Sequence, residues 1–146
     1  MDLSALYEEV ILDHNRSPRN WGELPGATRR AEGHNPFCGD QLTLWLRLDG
    51  DVIEEARFVG EGCAISRASA SMMTQVVRGK TKQEAEALFE RFHELVTDRS
   101  AAERADNSLG SLRAFAGVAR FPARVKCASL AWHALREAIG AGSGGE

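Results

Sequence analysis

No stretch of this 146-residue chain approaches the ~20 consecutive apolar residues that a membrane-spanning helix needs, so a membrane protein is not expected. There is no surplus of positive charge either. Eighteen Lys and Arg stand against 21 Asp and Glu, a formal net charge of -3, which removes the basic surface that phosphate backbones require and with it nucleic acid as an expected partner. The opening Met1-Asp2-Leu3-Ser4 lacks the basic start and apolar core of a secretory signal. Cysteine is scarce: three residues, an odd number, with no C-x-x-C pair, which argues against a disulfide framework and for a reducing, cytoplasmic setting. Internal repeats and a second hydrophobic unit are also missing. The 43% hydrophobic content suits a single core, giving one domain over residues 1–140 and a Gly/Ser tail over 141–146 that is expected to be disordered.

The few cysteines sit in polar, glycine-rich company. Cys38 lies in Asn35-Pro36-Phe37-Cys38-Gly39-Asp40, Cys63 follows Gly60-Glu61-Gly62, and Cys127 ends Arg124-Val125-Lys126-Cys127. A free cysteine is ordinarily a small buried hydrophobe, but a Cys-Gly-Asp triplet makes poor core, and glycines let backbone approach an ion or adopt positive φ. With Asp40 the three thiols form a set of three sulfurs and one oxygen. That set suits tetrahedral zinc, with bonds of about 2.3 Å to sulfur and about 2.0–2.2 Å to oxygen.

Periodicity shows how such distant residues can meet. Leu3, Leu6, Tyr7, Val10 and Ile11 fall at helical spacing, and Pro18, Asn20, Gly22, Pro25 and Gly26 then open a long loop that delivers Cys38. Leu42, Leu44, Leu46 and Leu48 alternate with Thr43, Trp45 and Arg47 as in a half-buried strand, and Asp49-Gly50-Asp51 turns it into a second strand over about 52–59. Cys38 and Asp40 therefore precede a hairpin and Cys63 follows it, so antiparallel pairing brings its outer ends together.

A helix is expected from Ala64 to about Arg78, with Cys63 at its start, where backbone N–H groups favour a thiolate. The capping box Thr81-Lys82-Gln83-Glu84 opens another, carrying Ala85, Leu88, Phe89, Phe92 and Val96. A short helix is expected over Leu109–Val118, interrupted at Gly117, and the last begins near Pro122 with Cys127 in its early turns. Met72 and Met73 read as helix core, and the Trp45 face is either covered by a helix or open to a partner. The expected fold is α+β, a small antiparallel sheet with helices packed on it.

The three cysteine segments, extended as Gly62-Cys63-Ala64-Ile65-Ser66-Arg67-Ala68-Ser69 and Arg124-Val125-Lys126-Cys127-Ala128-Ser129-Leu130-Ala131-Trp132, resemble the signatures of the U-type (IscU-like) iron-sulfur cluster assembly proteins. Tyr7-Glu8-Glu9-Val10-Ile11-Leu12-Asp13-His14 and Pro18-Arg19-Asn20 are also similar, so the resemblance runs from near residue 5 to near residue 139. Within that family the chain resembles the SufU branch. The IscU-type branch has a histidine immediately before its third cysteine, where this chain has Lys126, and a shorter stretch between its second and third cysteines.

The SufU resemblance implies a zinc-dependent sulfurtransferase that accepts persulfide sulfur from a SufS-like cysteine desulfurase and passes it toward a downstream iron-sulfur scaffold. Cys38 is the acceptor it implies, since its Pro36/Gly39 loop suits a labile ligand while Cys63 and Cys127 are tied to helices. The partner would displace Cys38 from zinc and supply a ligand of its own. Two alternatives stay open: a scaffold holding a [2Fe-2S] cluster on the same cysteines and Asp40, and a zinc that only staples the fold.

The donor set is rich in negative charge, which is costly to bury without cations nearby. Arg124 shares a helical face with Cys127 and is the candidate cation to stand behind the ligands and offset their charge; a solvated helix charge is the competing reading, and the favoured one for Lys126 and Arg67. Other candidates are weaker. His34 could reach a nearby metal, but its loop setting favours a solvated or capping role. His133 falls about 120° around the helix from Cys127 and should face elsewhere. Packing is the expected role of His14 and His93.

Overall fold

Alternation of Leu42, Leu44 and Leu46 with Gln41, Thr43 and Trp45 builds the centre of the molecule, because period-two patterning sends one set of side chains inward and the other outward. The computed structural model describes residues 3–35, 39–97, 112–115, 118 and 121–141. These form α1 (Leu3–Arg16), β1 (Arg29–Asn35), β2 (Asp40–Asp49), β3 (Val52–Glu61), α2 (Ala64–Val77), α3 (Lys82–Thr97) and α4 (Pro122–Ala141). The strands make one antiparallel sheet in the order β1-β2-β3. The α+β architecture is the expected one. Among the described residues no helix is long and apolar enough to cross a membrane.

One strand departs from expectation. Arg29–Asn35 lies within the stretch expected to be loop, yet it pairs with β2 from Arg29 opposite Leu46 to Asn35 opposite Asp40. Its inward positions are Ala31, Gly33 and Asn35, too small or too polar to register as a hydrophobic alternation. Small size suits this site: a Cβ on Gly33 would lie 3.0 Å from Leu130 Cδ1 and 3.2 Å from its Cγ, so a larger residue would require the Leu130 side chain to shift where α4 passes β1.

The helices cover the Leu44 and Leu46 face, with α4 on β1 and β2 and α2 on β3. Leu44, Leu46, Phe58, Met72, Met73, Phe92, Trp132 and Leu135 are fully buried there. Trp45 is half-buried on the opposite face, opposite Arg30 and Arg57 in the ladder. The capping box forms as expected: Glu84 N donates to Thr81 Oγ1 at 3.1 Å and Thr81 N to Glu84 Oε1 at 2.8 Å. Of the short helix expected over Leu109–Val118, residues 112–115 and 118 take a 3₁₀ conformation, and the rest lies outside the described residues. Helix α4 runs through Ala141; the remainder of the expected tail also lies outside them.

A candidate metal centre at the sheet edge

Three chain segments end at one point. Asp40 is the first residue of β2, Cys63 is the N-cap of α2, and Cys127 lies in the second turn of α4. The carboxylate oxygen and the two Sγ atoms all lie within 4.8 Å of one another. Asp40 has no solvent exposure, Cys127 is buried, and Cys63 is partly exposed.

The backbone around Asp40 and Cys63 explains the arrangement. Asp40 Oδ1 accepts a hydrogen bond from Cys63 N at 2.9 Å, and its Oδ2 lies 3.9 Å from Cys63 Sγ. Cys63 Sγ accepts from Ser66 N at 3.4 Å, which caps α2 and directs the donors of its first turn at the sulfur. Gly62 adopts φ +150, and a Cβ there would collide with Asp40 Oδ1, so glycine alone lets the chain fold over the carboxylate. Gly39, at φ +71, turns the chain into Asp40.

On the α4 side, Ser69 Oγ donates to the Ala128 carbonyl at 2.6 Å, tying α2 to the helix that carries Cys127. Cys38, the fourth member of the expected set, lies outside the described residues together with Pro36 and Phe37.

Two thiols and a buried carboxylate at this spacing fit a small tetrahedral cation, because zinc bonds of about 2.3 Å at tetrahedral angles hold sulfurs about 3.8 Å apart. Among the described residues this is the one group of at least three metal-ligating side chains so gathered.

The expected neighbours are more dispersed. Arg124 is exposed and its guanidinium lies 4.6 Å from the centroid of Phe121; Arg67 lies 5.4 Å over Trp21 instead of extending into solvent. His34 is on β1, not in a loop, opposite Gln41. His93 stacks on Phe89, and His133 meets the same ring edge-on. Sequence reasoning missed the knot behind α1, where buried Ser71 Oγ pairs with His14 Nδ1 at 2.7 Å and accepts from Arg19 N at 2.8 Å. Burial, and then the nearby Arg19 charge, pushes the His14 imidazole below its usual pKa. The Tyr7–His14 and Pro18–Asn20 segments were the available signal, but nothing in them pointed to Ser71.

The NifU-like N terminal domain family matches residues 6–141. The chain belongs to that family. Its relatives within the NifU-like family include the zinc-dependent sulfurtransferase SufU of Bacillus subtilis, 43% identical over 144 residues, covering 99% of this chain and 96% of the relative. The iron-sulfur cluster assembly scaffold protein IscU of Streptococcus pyogenes is 46% identical over 137 residues, covering 94% and 84%. Among solved structures, a SUF-system scaffold protein described as putative, from Fervidobacterium islandicum, superposes with a TM-score of 0.81 at 36% identity, covering 92% of this chain and 97% of that one. The NifU-like fold is thus the one this chain adopts.

Proposed function

We propose that this chain is a zinc-dependent sulfur-transfer protein of iron-sulfur cluster assembly that accepts persulfide sulfur from a SufS-like cysteine desulfurase onto Cys38. The observation that supports this most is the gathering of Asp40, Cys63 and Cys127 at one point, with Asp40 two positions along the chain from Cys38. Likeness to a zinc-dependent sulfurtransferase over nearly the full length of both chains supports it further. Asp40, Cys63 and Cys127 would hold zinc, with Cys38 as the fourth and exchangeable donor. Bound there, zinc would keep its thiols deprotonated near neutral pH and shield them from oxidation.

The chemistry belongs to Cys38. Its thiolate attacks the outer sulfur of the desulfurase's cysteine persulfide, the S–S bond breaks, and its electron pair leaves with the desulfurase cysteine as a thiolate. Cys38 is left as a persulfide that carries the sulfur to a downstream scaffold. Asp40 is the harder of the donor types and keeps the set from being an inert four-sulfur staple. Arg124, on the helix that bears Cys127 and lying over the Phe121 ring in this structure, is the cation the sequence offers to offset the negative charge of the donors.

The scaffold alternative draws on the relatives named as IscU scaffolds. Lys126, immediately before Cys127, favours sulfur transfer by the sequence comparison made above. Protein purified without added metal separates the two: sulfur transfer predicts one tightly held zinc, no visible colour and sulfur uptake from a desulfurase. A coloured protein with bound iron and labile sulfide would establish the scaffold in its place, and colourless zinc protein that takes up no sulfur would leave zinc as a staple.

A further inference from the structure

Between β1, α3 and the first turns of α4 lies a cleft of about 280 Å³, lined by none of Asp40, Cys63 and Cys127. His34, His93, His133, Asn35, Lys126 and Ser129 form its polar wall, and Val125 and Leu130 its apolar one. No Asp or Glu is among its described lining residues. The polar wall is therefore made of groups that donate hydrogen bonds or carry positive charge.

Ser129 supplies an independent observation. It is only 6% exposed, and its Oγ has no hydrogen-bond partner among the described residues. Buried hydroxyls are nearly always bonded, as the neighbouring Ser69 hydroxyl is to the Ala128 carbonyl. The surroundings of His133 agree: desolvation, and then His93 and Arg136, push its imidazole below the usual range, and an anion seated here would offset that repulsion. A water's share of liquid volume is about 30 Å³, so the cleft has room for several heavy atoms and not merely an inorganic ion.

We propose that this cleft binds a small organic oxyanion, a carboxylate or a phosphomonoester with a short carbon body. Its oxyanion sits against the imidazole N–H groups and the Ser129 hydroxyl, and its carbon body against Val125 and Leu130. None of Asp40, Cys63 and Cys127 lines this cleft, and the proposal does not rest on the sulfur-transfer reading.

The test is an NMR titration of the four histidine ring signals in the full, metal-loaded chain at fixed pH, with glycerol phosphate, butyrate and inorganic phosphate added separately. His34, His93 and His133 should shift saturably while His14, bonded to Ser71 behind α1, stays still. Saturation by glycerol phosphate alone marks the occupant as a phosphomonoester, and by butyrate alone as a carboxylate. Ser129→Ala, with an unchanged melting temperature, should weaken binding about tenfold. His133→Gln should weaken it as well. Four histidines moving together, no saturation, equal binding by Ser129→Ala, or inorganic phosphate binding as tightly as the organic anions would overturn the proposal, the last as an adventitious ion only.

Discussion

The carboxylate of Asp40 accepts a hydrogen bond from the backbone N–H of Cys63 at 2.9 Å, with no solvent exposure of its own. This bond joins the start of β2 to the start of α2 across the open end of the hairpin. It orients one carboxylate oxygen and leaves the other facing the Cys63 sulfur. A metal site on these residues is thus part of the fold's own hydrogen bonding.

Gly62 is where that arrangement is most exposed to mutation. Ala there must bear both φ +150 and a collision with Asp40 Oδ1. Gly62→Ala should cost about 1–3 kcal/mol, or roughly 2–4 °C of melting temperature for each kcal/mol, and should weaken zinc binding. Calorimetry with a competitive zinc chelator measures both. A variant as stable and as zinc-retentive as the parent would show that the chain does not need this close approach.

His14 sets a pH dependence. Its folded pKa is lowered from 6.5, so the unfolded chain binds the proton more readily, and stability rises with pH through this window. The contribution is present above about pH 6.5 and is lost as pH falls below it toward the depressed folded value. His133 is shifted in the same direction and adds to the slope. Urea unfolding of His14→Gln between pH 5 and 7 should show a shallower dependence than the parent, together with a lower stability at pH 7 from the lost Ser71 bond. An unchanged slope would contradict this.

Asp40→Cys tests why a carboxylate occupies its position. A four-thiolate set should hold zinc at least as tightly, while exchange of Cys38 slows and desulfurase stimulation falls severalfold. Zinc competition and turnover at equal desulfurase concentration are the measurements. Undiminished stimulation would count against tuned exchange.

Much of this was legible in the chain. Alternating leucines announced β2, the Thr81/Glu84 box announced α3, and glycines at 39 and 62 announced the tight backbone around Asp40 and Cys63. Strand β1 was not legible, because its inward residues are Ala31, Gly33 and Asn35, and its strand character comes from pairing with β2 and from the close passage of Leu130. The engagement of Arg124 with Phe121 was hidden for a related reason: helical spacing fixes which face a side chain shares, not which neighbour its long stem reaches. The Ser69 bond to Ala128 and the Ser71 bond to His14 join residues far apart in sequence, and no local pattern carries such pairs.

The most direct test of the central claim is desulfurase turnover with zinc-loaded Cys38→Ala beside Cys63→Ser, scored with zinc content and melting temperature. Asp40, Cys63 and Cys127 still form a three-residue donor set in the first variant, so it should keep its fold and most of its zinc yet fail to stimulate turnover. Cys63→Ser should lose zinc and stability together, because metal binding contributes to folding. A zinc-loaded Cys38→Ala protein that still accelerates repeated turnover would contradict Cys38 as the sulfur acceptor and leave the metal a structural staple.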